Sequence, residues 1–120
     1  MASNYGYGRR KELQVAEFLE RRGFELGRAR ASRGPVDLVA KRGSTRLAIQ
    51  VKSTRRDSTE YTRLSRRQEI SLMRSAAPRK ATPALALVCR NCVALLSVPD
   101  QSLMVKGELR PLRHDYPGHS

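Results

Sequence analysis

The sequence predicts one α/β domain, a mixed central sheet flanked by helices. Three observations lead there. Apolar and polar residues alternate in two runs that flank a tight turn near residue 43, the pattern of a β-hairpin. Two helix-period segments, near residues 11–22 and 65–77, stand on either side of that hairpin. Two further apolar runs, 84–89 and 92–98, have the length of buried strands. The order helix, three strands, helix, then one or two more strands suits a mixed sheet with the first helix packed on it. At 120 residues the chain, 1–120, is expected to form a single domain with one modest core, without internal repeats or a linker.

Charge narrows the partner. A formal net charge of +13 on so short a chain calls for a polyanion, nucleic acid ahead of a membrane surface. No apolar run is long enough for a membrane span, so no membrane partner is expected. Residues 1–8 lack the apolar stretch of a secretory signal, and a cytoplasmic location is the expectation.

Taken in order, residues 1–8 are small, polar and aromatic and read as a flexible arm, with Tyr5 and Tyr7 available to stack on bases. Residues 11–22 form an amphipathic helix closed by Gly23. At about 100° per residue, Val15, Ala16 and Leu19 fall within roughly 60° of Glu12, so Glu12 heads the stripe that faces the sheet. Glu20 sits at its margin, and Glu17 points about 140° away from Glu12. A carboxylate on the buried side of a helix is costly unless it is paired, protonated or metal-bound. Arg9, Arg10 and Lys11 at the helix start oppose its macrodipole, which favours a role in phosphate contact.

Phe24-Glu25-Leu26 begins an edge strand that runs into Arg28-Ala-Arg30-Ala-Ser32-Arg33. This arginine-rich segment is either a solvated loop or a phosphate-binding one; its lead into Asp37 favours DNA contact. In the hairpin, a turn at Gly43-Ser44 pairs Ala40 with Leu47, Leu38 with Ile49 and Val36 with Val51, all apolar and on one face. The other face carries Val39 with Ala48, Asp37 with Gln50, and then Lys52. An acid, an amide and a lysine thus lie close together, either as a solvated ion pair or as a site.

After Lys52, residues 53–64 read as a loop carrying Arg55 and Arg56. Ser65-Arg-Arg-Gln68 is a capping-box pattern that starts a helix ending near Ala77, before Pro78. Ile70, Met73 and Ala77 form its expected inward stripe, with Leu72 at the flank. Arg66, Arg67 and Arg74 decorate the outside, as DNA contacts or as ordinary solubilising charge. Cys89-x-x-Cys92 lacks the second ligand pair of a tetrahedral metal site and reads as two small buried hydrophobes beside a turn. Residues 106–120 form a polar tail, preceded by Leu103-Met-Val105 as a last short strand or a dimer contact.

Gly8-Arg-Arg-Lys-Glu12, Val36-Asp37-Leu-Val-Ala and Gln50-Val-Lys52, in this order, resemble the motifs of the PD-(D/E)xK nuclease superfamily, and within it the archaeal-type Holliday junction resolvases. The resemblance runs from Gly8 through the second helix and the following strand. It implies a restriction-endonuclease-like fold and Mg²⁺-dependent hydrolysis of DNA phosphodiesters, with Mn²⁺ as a substitute ion. Glu12, Asp37 and Gln50 would be the metal ligands and, with Lys52, the catalytic set. Ser32 resembles a serine that the family uses near the junction strand. Arg9, Arg10, Lys11, Arg28, Arg30, Ser32, Arg33, Arg55, Arg56, Arg66 and Arg67 are the candidate DNA contacts.

Gln50 departs from the glutamate usual at its position. Its carbonyl is a neutral donor where a carboxylate would carry charge, so weaker metal binding is the expected cost. A four-way junction has two-fold symmetry and needs paired cuts, which a homodimer supplies. A duplex-cutting restriction or repair nuclease and a catalytically weak DNA-binding module are the competing readings.

Overall fold

The computed structural model describes residues 2–28, 34–54 and 63–109, with side chains from residue 10 onward and Arg28 excepted. Its elements are α1 (Ala2–Glu20), β1 (Glu25–Arg28), β2 (Leu38–Arg42), β3 (Thr45–Ser53), α2 (Arg66–Ala76), a 3-10 turn (Ala77–Arg79), β4 (Thr82–Val88), β5 (Cys92–Ser97) and β6 (Leu103–Glu108). The six strands form one sheet in chain order, β1 to β6. Only β3 and β4 run parallel, joined by the crossover through α2. The sheet is mixed, as the order of periodic segments requires.

Strand alternation gives the sheet two buried faces. Leu38, Ala40, Leu47 and Ile49 point to the side where Val15, Phe18 and Leu19 of α1 pack. Ala48, Leu85, Leu87 and Leu96 point to the other, against Leu72 and Ala76 of α2. The reading of the hairpin's second face as the polar one is therefore incomplete: α2 makes most of it core.

Hairpin register is as expected along the ladder, with Ala40 opposite Leu47, Val39 opposite Ala48 and Leu38 opposite Ile49. It turns at Gly43, whose φ of +60° favours glycine. At the other end the ladder stops at Leu38, and Val36 does not face Val51. Val36 is buried on the α2 side instead. The reason is local: the Asp37 amide bonds to the Ile49 carbonyl at 2.8 Å, while the Asp37 side chain takes the Val51 amide. With the backbone pairing broken, the chain is free to roll Val36 across the sheet.

Four other differences have similar causes. The segment 2–8, expected as a flexible arm, continues α1, since each residue added to an existing helix gains a hydrogen bond without repeating the nucleation cost. Arg9, Arg10 and Lys11 are consequently mid-helix, and the macrodipole argument does not apply to them. The buried stripe of α2 is Glu69, Leu72 and Ala76, with Met73 of the expected stripe packed partly buried beside it and Ile70 and Ala77 outside it, a rotation set by what the sheet offers rather than by the most apolar stripe. Lys106 to Glu108 complete β6 and Leu109 is buried, so the tail starts later than residue 106.

The turn Arg90-Asn91 closes tightly enough to put the Cα atoms of Cys89 and Cys92 5.1 Å apart, where the two cysteines pair as a disulfide instead of standing as separate hydrophobes.

The helix ends are well made. The Phe24 amide reaches the Leu19 carbonyl and the Gly23 amide that of Glu20, a Schellman closure with Gly23 at φ +90°. Arg42 at the hairpin tip donates to the Arg22 carbonyl at 2.8 Å and stacks over Phe24, tying the hairpin to the end of α1. In α2, Ser65 and Gln68 form the expected capping box.

Phe18 meets β6 at Gly107, where a Cβ would stand 2.7 Å from the ring. Gly107→Ala is expected to destabilise the fold by about 1–3 kcal/mol through this overlap. Phe18→Leu in the same chain should recover part of that loss in a double-mutant cycle of urea denaturation; additive losses would contradict the contact.

Candidate functional site

The break in the hairpin ladder builds the site. At Leu38–Ile49 the regular pairing ends, and Asp37 brackets Gln50 from both sides: its amide donates to the Ile49 carbonyl and its Oδ2 accepts from the Val51 amide at 2.8 Å. The carboxylate thus stands where a ladder carbonyl would, beside the middle of β3. Gln50 and Lys52 follow on one face of β3, two residues apart and both half-buried. Gln50 lies opposite Leu85 of β4, and Lys52 opposite Leu87.

Electrostatics at this point are unbalanced. Burial pushes the Asp37 carboxyl above its ordinary value, and the Val51 amide only partly offsets this. The Gln50 Oε1 is buried with no hydrogen-bond donor. A desolvated carboxylate near an orphaned carbonyl oxygen is the environment a small hard cation satisfies. The donors fit a divalent metal of the Mg²⁺ kind, which takes oxygen ligands. Among the described residues no three His, Cys, Asp or Glu side chains cluster.

Glu12 approaches from the opposite layer. It lines a cavity of about 180 Å³ between α1 and the first two strands, together with Ala16, Glu20, Leu26, Gly27 and Leu38. Leu38 directly follows Asp37, so the cavity's wall adjoins the ladder break. Glu12 is half-buried on the sheet-facing side of α1, consistent with its place at the head of the stripe. Glu20 shares this cavity; its marginal angle on the helix was the only sequence signal for it. Glu17 lies apart and forms an ion pair with Arg21 at 3.5 Å.

Of the candidate DNA contacts, Arg10 is exposed and Lys11 half-buried on α1. Arg66 and Arg67 are exposed on α2, on the other side of the sheet. The structure does not bring these two groups together. Arg28 ends β1, and Arg9 lies within α1. Arg30, Ser32, Arg33, Arg55 and Arg56 lie outside the described residues.

A sequence model described as archaeal Holliday junction resolvase (Hjc) matches residues 3–107. Among solved structures, the chain is similar to Archaeoglobus fulgidus Hjc, a Holliday junction resolvase from an archaeal hyperthermophile, with 27% identity and a TM-score of 0.59. The match covers 82% of this chain and 86% of that one. The shared architecture is restriction-endonuclease-like. No curated protein sequence matches.

A raised Asp37 pKa has a thermodynamic consequence. Between the ordinary value of 3.8 and the raised one, the folded chain holds more protons than the unfolded chain. Stability therefore falls as pH rises through that window, and the deficit persists at neutral pH. Asp37→Asn keeps an oxygen for the Val51 amide and removes the charge. In chelator, the variant should melt above the wild type at pH 7, and the gap should close as pH falls below 3.8. A variant melting lower at pH 7 would show that the ionised carboxylate stabilises the apo fold.

Proposed function

This chain belongs to the archaeal Holliday junction resolvase family, and from that premise we propose how its residues divide the work of cutting four-way DNA junctions. It is a junction-resolving nuclease, and nucleases of this family are in general divalent-metal dependent. We assign Mg²⁺ as the ion, with Mn²⁺ as a substitute, and Glu12, Asp37 and Gln50 as the side chains that hold it. The observation that carries this assignment is the orphaned Gln50 oxygen beside a carboxylate bonded to the next residue's amide.

When bound, the metal supplies positive charge that polarises the scissile phosphate and stabilises the leaving oxyanion. Asp37 is held for that task by the Val51 amide, which occupies one oxygen and leaves the other for coordination. Lys52, on the same face of β3 as Gln50, orients the attacking water or neutralises charge on the phosphoryl group. Gln50 contributes an oxygen without charge, so the site is less negative than one with glutamate there and meets the phosphate with less repulsion. The cationic surface holds the DNA backbone, with Arg9, Arg10 and Lys11 near the Glu12 side.

Two cuts on a two-fold substrate call for two sites at fixed spacing, so the working form is a homodimer. Leu103 and Met104, exposed on the outer strand β6, support an apolar contact between copies. No helix among the described residues is long and apolar enough to cross a membrane.

Labelled four-way junction and matched linear duplex, incubated with and without Mg²⁺, provide the direct test. Asp37→Ala and Glu12→Ala should each lower junction cleavage by about a hundredfold or more, with binding nearly intact, since metal charge stabilisation is worth several kcal/mol. Glu17→Ala should cleave normally. Loss of binding in either site variant, or full activity, would sink the ligand assignment.

Gln50 gives a separate test. Gln50→Glu should reach half-maximal cleavage at lower Mg²⁺ because it returns a charge to the site. Gln50→Ala should remain slow at every Mg²⁺ concentration; wild-type behaviour would remove Gln50 from the ligand set.

A further inference from the structure

Helix α2 carries Arg66, Arg67, Glu69 and Arg74. Its one carboxylate is turned inward. Glu69 is only 8% exposed, is approached by the Arg66 guanidinium at 3.2 Å, and accepts a hydrogen bond from the Gln101 side-chain amide. Gln101, at the β5–β6 turn, also closes a two-bond pairing with the Leu64 backbone, 3.1 Å in each direction. The helix is therefore clamped at its N-terminal end with the acid facing the protein.

The outside is left with one sign of charge. Arg67, Ser71, Arg74 and Ser75 follow at i, i+4, i+7 and i+8, a single stripe along the helix. Together with Arg66 and Ile70 they line a hollow of about 610 Å³ that has no acid in its wall. Among the described residues Arg67 and Arg74 make no ion pair, and they stand seven positions apart, about 10 Å along the helix. A solubilising face normally mixes signs so that i,i+3 and i,i+4 pairs form; here the one glutamate pairs with Arg66, and Arg67 and Arg74 have no acid three or four residues away on the helix. The stripe also adjoins the path to the cleavage site: a Cβ on Gly34, three residues before Asp37, would lie 3.6 Å from the Ser75 Oγ.

We propose that the outer face of α2 is a contact surface for the phosphate backbone of a duplex arm, with Arg67 and Arg74 as the charged contacts and Ser71 and Ser75 as hydroxyl donors. The inference rests on the reading of branched DNA as substrate and adds to it a surface on the opposite sheet face from Arg10 and Lys11. Arginines and hydroxyls are the groups that hold phosphates without reading sequence.

The test compares two double variants that each remove two positive charges. Arg67→Ala with Arg74→Ala alters the stripe. Lys41→Ala with Arg46→Ala alters an exposed cross-strand pair on the β2–β3 hairpin. Junction and duplex affinities are measured by fluorescence anisotropy across a salt series, with thermal melts to show that both variants fold.

Losing two phosphate contacts should flatten the log–log salt slope by about 1.8, and weaken binding roughly tenfold to a hundredfold near 0.1 M salt, for each subunit of the dimer whose α2 face is engaged. The hairpin variant should change the slope by less than about 0.5. Equal changes in both variants would overturn the proposal in favour of net charge alone. No change in the α2 variant would overturn it in favour of solvent or an acidic protein partner. A wild-type protein that binds duplex as tightly as junction would refute the functional reading instead, and the slope on duplex would still decide the α2 face.

Discussion

The hydrogen bond from the Val51 amide to the Asp37 carboxylate is the interaction on which the site depends. A β-ladder satisfies its amides with carbonyls, residue after residue. Here a side chain takes that place, and several consequences follow together. The ladder ends at Leu38–Ile49, two pairs short of Val36–Val51, Val36 turns to the opposite core, and an acid is carried into the edge of the hydrophobic interior. Ionisation there is opposed by burial and only partly rescued by the amide. A fold optimised for stability alone would not place a carboxylate there. A cation bound at this carboxylate would relieve that electrostatic cost.

The three-layer arrangement sets the side of the sheet from which each candidate group comes. Because side chains alternate along β3, Ile49 and Val51 face α1 while Gln50 and Lys52 face away from it. Glu12 belongs to α1 and comes from the first layer. A site that draws on both layers can form only where the strand pairing opens, at the end of the hairpin. The same division separates the cations: those on α1 lie over one sheet face, those on α2 over the other. For a small chain of charge +13, this distribution offers the polyanion more than one face.

Stability in this molecule is tied to a few contacts that cross between elements. Arg42 joins the hairpin tip to the end of α1, Phe18 seats against Gly107 on β6, and Gln101 joins the β5–β6 turn to the start of α2. Each fixes a strand connection at a point where sheet pairing alone would leave freedom. The candidate site benefits because Glu12 sits on α1, Gln50 and Lys52 on β3, and Asp37 directly before β2, so each is on or next to an element so constrained.

Much of this was legible in the chain itself, and the reason is periodicity. Alternation along 36–52 determined the hairpin, its turn at Gly43-Ser44 and most of its register, because a one-residue slip would have exchanged core and surface. The placement of Glu12 on the buried stripe of α1 followed from 100° per residue, the capping box of α2 from Ser65 and Gln68, and the family from Glu12, Asp37 and Gln50-Val-Lys52 in order. What the chain could not reveal is where pairing stops. The roll of Val36, the rotation of α2 that buries Glu69 in place of Ile70, the covering of the hairpin's second face and the approach of Cys92 to Cys89 each depend on partners distant in sequence. Local pattern states which residues prefer burial. Only the assembled sheet decides which buried place is available to each of them, because that is settled by competition among elements for the same two faces.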